Sequence, residues 1–106
     1  MDPIETLTTW LEGKPDDRFA RYALALELKK ADRVEDAVAT LRELVNRHPA
    51  SGAGHYQHGL VLLEADRIEE ARAAWEAGLV ALAGESDADA ARSMREIRKA
   101  LDDLED

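Results

Sequence analysis

The chain contains no cysteine, which excludes disulfides and thiolate metal sites and leaves nothing that marks an oxidising compartment. Aromatic side chains are scarce, with two Trp, two Tyr and one Phe. That is too few for a sandwich or barrel of aromatic-rich strands, whereas an apolar content of 45%, mostly Ala and Leu, suits helices packed at short range. No stretch approaches the roughly 18 uninterrupted apolar residues of a membrane span. The start, Met1-Asp2-Pro3-Ile4-Glu5, lacks the basic beginning and apolar run of a signal peptide. A cytoplasmic location is the expectation. Cations are also in short supply, 14 Lys and Arg against 23 Asp and Glu, for a net charge of −9. Such a surface repels phosphate backbones and anionic headgroups, so neither nucleic acid nor a membrane is the expected partner. Its plainest use is solubility; steering toward a basic partner is the sharper reading.

At 106 residues the chain is expected to form one domain, long enough to bury roughly 65% of the surface its unfolded form exposes. What organises that domain is an internal repeat, since Tyr22 to Val45 aligns with Tyr56 to Leu79 without a gap. Ala31-Asp32-Arg33-Val34-Glu35-Asp36-Ala37 returns as Ala65-Asp66-Arg67-Ile68-Glu69-Glu70-Ala71, and Tyr22, Leu26, Leu28 and Ala39 return as Tyr56, Leu60, Leu62 and Ala73. Two helices fit each period, which predicts an all-α helix-pair solenoid.

Six helices are expected. Asp2-Pro3-x-Glu5 opens the first, over about residues 2–14, with Asp capping and Pro at a position where its missing N–H costs nothing. Ile4, Leu7, Trp10 and Leu11 give it one apolar stripe. Asp16 or Asp17 caps the second, whose Phe19, Tyr22, Ala23, Leu24, Leu26 and Leu28 make two apolar faces, as an interior solenoid helix needs. Asp32-x-x-Glu35 and Asp66-x-x-Glu69 read as capping boxes for the third and fifth helices. The stripes of those helices are Val34, Ala37, Val38, Leu41, Leu44 and Val45, then Ile68, Ala71, Trp75, Gly78, Leu79 and Leu82. In the fourth, Gly59 stands one repeat period after Ala25 and lets two helices cross closely, while Gly54 marks a frayed start. The sixth, over 87–105, carries Met94, Ile97, Leu101 and Leu104 on one dry face and would cap the array.

The period, the two helices within it and the closing Pro15 and Pro49 closely resemble the tetratricopeptide repeat (TPR) over about residues 16–83. Leu24-Ala25 and His58-Gly59 fall where that family has a large residue followed by a small one; Ala37 with Leu41, and Ala71 with Trp75, fall at its second-helix positions. Departures occur at His58, where Leu is usual, and Ala83, where Pro is usual. The resemblance implies a half repeat (2–14), two full repeats (16–49 and 50–83) and a C-terminal capping helix (87–105), in the manner of small stand-alone bacterial TPR proteins.

In that family the first helix of each pair lines a concave groove. The resemblance therefore implies a protein-binding groove of Phe19, Tyr22, Ala23, Leu26, Lys29 and Lys30, facing Tyr56, Gln57, Leu60, Leu63 and Glu64. A peptide or partner helix is the implied ligand. The same Tyr and Leu residues would serve equally as buried core, with the C-terminal helix using up part of the groove. Members that grip chaperone tails use Lys and Asn, but Tyr22, Leu26 and Gln57 occupy the clamp-like positions here, which disfavours such a tail. Self-association through the apolar stripes of the terminal helices, as a homodimer, is the alternative.

Chemistry-bearing residues are thin. His55 and His58 lie one helical turn apart with no third ligand at a diagnostic spacing, so they read as an exposed His55 and a half-buried, hydrogen-bonded His58. Ser51, Ser86 and Ser93 are expected at caps or helix surfaces, outside any nucleophile motif. No cofactor, metal or catalytic residue is expected.

Overall fold

The computed structural model describes residues 1–105; Asp106 lies outside the described residues. Six helices follow one another: α1 (Pro3–Gly13), α2 (Arg18–Lys30), α3 (Val34–Arg47), α4 (Gly52–Glu64), α5 (Ile68–Leu82) and α6 (Ala88–Leu104), with no strand among the described residues. Each helix packs on its chain neighbour, and α6 also packs on α4, producing a slab of 42 × 31 × 17 Å.

Four helices start on side-chain caps that satisfy an otherwise unpaired backbone N–H. Asp2 accepts from the Glu5 N–H at 2.9 Å, Asp17 from Ala20 at 3.0 Å, Ser51 from Gly54 at 3.1 Å and Asp87 from Ala90 at 2.8 Å. Asp17 also accepts the Trp10 indole N–H at 2.8 Å, tying α1 to α2. The Ala20 N–H, then the indole, hold its carboxyl below the usual carboxylate range.

The expected capping boxes do not form. Asp32 and Asp66 have φ of 63° and 64°, in the left-handed region, and the N-cap positions of α3 and α5 are Arg33 and Arg67, neither making a side-chain cap. The two Asp residues instead end the preceding helices in Schellman turns. The Arg33 and Arg67 N–H groups reach the Leu28 and Leu62 carbonyls at 2.9 Å, and the Asp32 and Asp66 N–H groups reach those of Lys29 and Leu63. A short polar side chain is among the few that tolerate this backbone. Glu35, expected to reach back, instead takes Arg67 of α5 at 2.8 Å.

The core has two parts. Leu24, Ala25, Leu28, Val38, Leu41, Leu44, Val61 and Leu62 fill the space among α1 to α4, and Trp75, Leu82, Ala90 and Ile97 fill that between α4, α5 and α6. Close approach at Gly59 is borne out. A Cβ there would overlap the Trp75 indole, whose N–H donates to the Tyr56 carbonyl at 3.0 Å. Gly54 is not a frayed start: it is buried, and a Cβ would come within 2.9 Å of Leu44. Ser93 is likewise buried rather than on a surface, seated where a Cβ at Gly52 would stand, so α6 lies close against the start of α4.

His55 is buried rather than exposed, and His58 is half-buried as expected but lacks the expected hydrogen bond. His55 is 5% exposed, with its Nε2 at 2.8 Å from the Pro49 carbonyl oxygen, whereas the buried Nε2 of half-buried His58 has no hydrogen-bond partner. His58 occupies the register of Leu24, a core position one repeat earlier, so its ring is carried inward with nothing polar to meet it. Burial, then the charges of Arg42, His55 and Arg67, push its pKa from 6.5 down to about 4.

Candidate protein-binding groove

α2, α4 and α6 lie side by side, and between their N-terminal ends opens a cleft of about 580 Å³. Arg18, Phe19 and Tyr22 come from α2, Ser51, Gly52 and Ala53 from the start of α4, and Asp87, Asp89, Ala90, Arg92 and Ser93 from the start of α6, with Glu85 at the rim. Phe19 is 75% exposed although Ala20 beside it on the helix is buried. The Arg18 guanidinium stands 5.1 Å from its ring centroid and Asp89 pairs with Arg92 at 3.1 Å.

The residues expected to form a groove are not all together. Phe19 and Tyr22 line the cleft. Tyr22 is half-buried and faces the Gln57 side chain and the Glu96 carboxylate; burial pushes its phenol pKa above the ordinary value, as does Glu96, while the Gln57 amide opposes them. Leu26 is half-buried on the same helix, and Lys29 reaches across to Glu64 at 3.2 Å, closing that end with an ion pair. Lys30 pairs with Glu27 at 3.2 Å and lines a separate hollow of about 320 Å³ against Asp2, Pro3 and Ile4 of the α1 start. Tyr56, Leu60 and Leu63 pack on the Trp75 cluster, with the Tyr56 ring near-parallel to the indole at 18° and a centroid distance of 6.4 Å. Helix α6 thus covers part of the apolar surface that α4 offers. The Gln57 Oε1 is buried without a hydrogen-bond partner.

The sequence pointed to the C-terminal helix using up part of the groove, but not to which α6 residues line the cleft. Ser51 caps α4 one full period after Asp17 caps α2, but the step from Ser51 to Asp87, the cap of α6, is longer than a period. The repeat is out of phase before α6, so its residues do not align with those of α2 and α4. A second repeat-related link was also missed. The Arg21 guanidinium donates to the Pro15 carbonyl at 2.5 Å. One period later His55 meets the Pro49 carbonyl in the same way. Among the described residues no group of three or more His, Asp or Glu side chains could hold a metal ion, and no helix is long and apolar enough to cross a membrane.

An all-α array of helix pairs with one open face is the architecture of helical-repeat interaction proteins. The chain belongs to the tetratricopeptide repeat family, whose model matches residues 1–65. Among solved structures it is similar to a tetratricopeptide repeat domain protein from Salinibacter ruber. The solution structure of that protein gives 30% identity and a TM-score of 0.74, covering 86% of this chain and 89% of the other. The crystal structure of the Salinibacter ruber protein gives 29% identity and a TM-score of 0.72, covering 84% and 97%. The fold also matches the first TPR of Spaghetti bound to an HSP90 peptide, at 17% identity and a TM-score of 0.66, covering 93% and 77%. No curated protein matches the chain.

Proposed function

We propose that the chain is a non-catalytic protein-interaction module that seats a peptide or partner helix on the face formed by α2, α4 and α6. Proteins of the family generally mediate protein–protein contacts. The observation that carries the reading here is Phe19, a large apolar side chain left 75% exposed at a cleft between three helices. Leaving such a ring in water forfeits roughly 2 kcal/mol of burial that a partner would recover. Tyr22 and Leu26 continue the apolar surface along α2. Self-association through the α6 stripe is less favoured, because Met94, Leu101 and Leu104 already pack on the Trp75 cluster within the chain.

The test uses the full chain as bait beside two variants of exposed residues, Phe19→Glu in the cleft and Val80→Glu on α5, where Val80 is 78% exposed and outside the cleft. A partner captured by the native chain and Val80→Glu, and lost with Phe19→Glu, is the expected result. Identical capture by all three would remove the groove reading.

A further inference from the structure

Resting on the reading of α2, α4 and α6 as a protein-binding face, we infer that its occupant is a second copy of this chain. The two copies dock face to face about a two-fold axis, with Phe19 of each seated in the cleft of the other.

The face carries a knob. Phe19 is 75% exposed, and the Arg18 guanidinium stands 5.1 Å from its ring centroid, so the projecting element is an apolar ring with a cation against it. The same face carries a socket. On its α4 and α6 sides the cleft of about 580 Å³ is lined by Gly52, Ala53, Ala90 and Ser93, all small, which leaves room for a large ring.

Charge completes the match. Arg92 pairs with Asp89 at 3.1 Å, and the Asp87 carboxylate accepts the Ala90 N–H at 2.8 Å. Among the described residues that leaves two lining charges without a partner, Arg18 at the start of α2 and Glu85 ahead of α6, and they do not pair with each other. A ligand of one sign would satisfy one of these charges and oppose the other. A second copy brings its Arg18, beside the entering Phe19, to Glu85 and offers its own Glu85 to Arg18. A two-fold axis makes this one complementary contact twice, the isologous form in which most homodimers are built.

The test is sedimentation velocity of the full chain and its variants over a dilution series reaching high micromolar concentration. The native chain and Val80→Glu, altered outside the cleft, should form a reversible dimer. Phe19→Ala should weaken it by about a hundredfold or more, because the ring is lost twice per dimer. Arg18→Glu and Glu85→Arg should each weaken it by about tenfold. An equimolar mixture of those two variants should associate about as well as the native chain, since every contact between positions 18 and 85 again joins opposite charges. A monomer at every concentration would overturn the second copy as occupant, yet leave the protein-binding face in place wherever Phe19→Glu still abolishes capture of another protein. A dimer indifferent to Phe19→Ala, or a mixture no better than its two components, would overturn the docking mode. Circular dichroism of each variant separates a lost contact from a lost fold, and Arg18→Glu should keep α2 intact because an acid suits the first turn of a helix.

Discussion

Leu41 and Trp75 stand at equivalent positions of the two repeats, and so do Ala25 and Gly59 that face them, so the repeats fill one site with different volumes. The larger indole needs the missing Cβ. Gly59→Ala should therefore cost about 1–3 kcal/mol despite its better helix propensity, and Trp75→Leu about 2–4 kcal/mol through the space it leaves. The double variant recreates the Ala25–Leu41 pair and should be more stable than the sum of the singles by about 1 kcal/mol or more, measured by urea unfolding. Gly13→Ala is the control of opposite sign: a Cβ there meets nothing within 4 Å, and stability should rise by about 0.5 kcal/mol. His58 gives a pH-dependent prediction. Its folded pKa of about 4 lies below the ordinary 6.5, so the unfolded chain takes up the proton first. Stability is complete above about pH 6.5 and is lost as pH falls toward about 4, and His55, shifted in the same direction by burial, adds to the loss. His58→Leu, which restores the side chain of Leu24, should flatten the unfolding midpoint between pH 7 and pH 5.

Helix boundaries were largely legible from capping chemistry: Asp2, Asp17, Ser51 and Asp87 all cap where a short polar residue precedes an apolar stripe. The misreading at Asp32 and Asp66 has a clear cause. An Asp before a helix is also an Asp after one when the connection is this short, and the spacing to Glu35 or Glu69 cannot tell which helix it serves. Each Asp belongs to the end of the earlier helix, with φ of 63° and 64°. Asp66→Gly should leave the melting temperature unchanged or raise it, because Gly adopts that backbone freely. Asp66→Val should lower stability by about 1–2 kcal/mol, since a β-branched side chain clashes there. Were Asp66 a side-chain cap, both substitutions would destabilise.

For the molecule as a whole, α6 closes the array by covering Trp75 and Leu82 with Ala90 and Ile97, and it brings Asp89 and Arg92 to the open face. Removing it should expose the indole. A chain of residues 1–85, compared with the full chain in a Trp10→Phe background, should show red-shifted Trp75 emission and a lower unfolding midpoint; unchanged emission would mean that α4 and α5 bury the indole unaided. The open face was only partly readable beforehand. Phe19, Tyr22 and Leu26 were identifiable from their phase in α2, but Lys30 turned toward α1, and Tyr56, Leu60 and Leu63 were drawn onto the Trp75 cluster. Which of two possible neighbours a half-apolar helix turns to is not a local property of its sequence.

The all-α class, the period, the helix count and most helix starts are written in the amino-acid order, because each follows from interactions within about four residues or from the repeat itself. Packing between distant helices had to settle that His55 is buried deeper than His58, that Ser93 sits against Gly52, that Gln57 keeps a buried acceptor without a donor, and that α6 shares the cleft. Those outcomes depend on the distance and rotation between helices far apart in the chain, which the fit of large against small side chains sets.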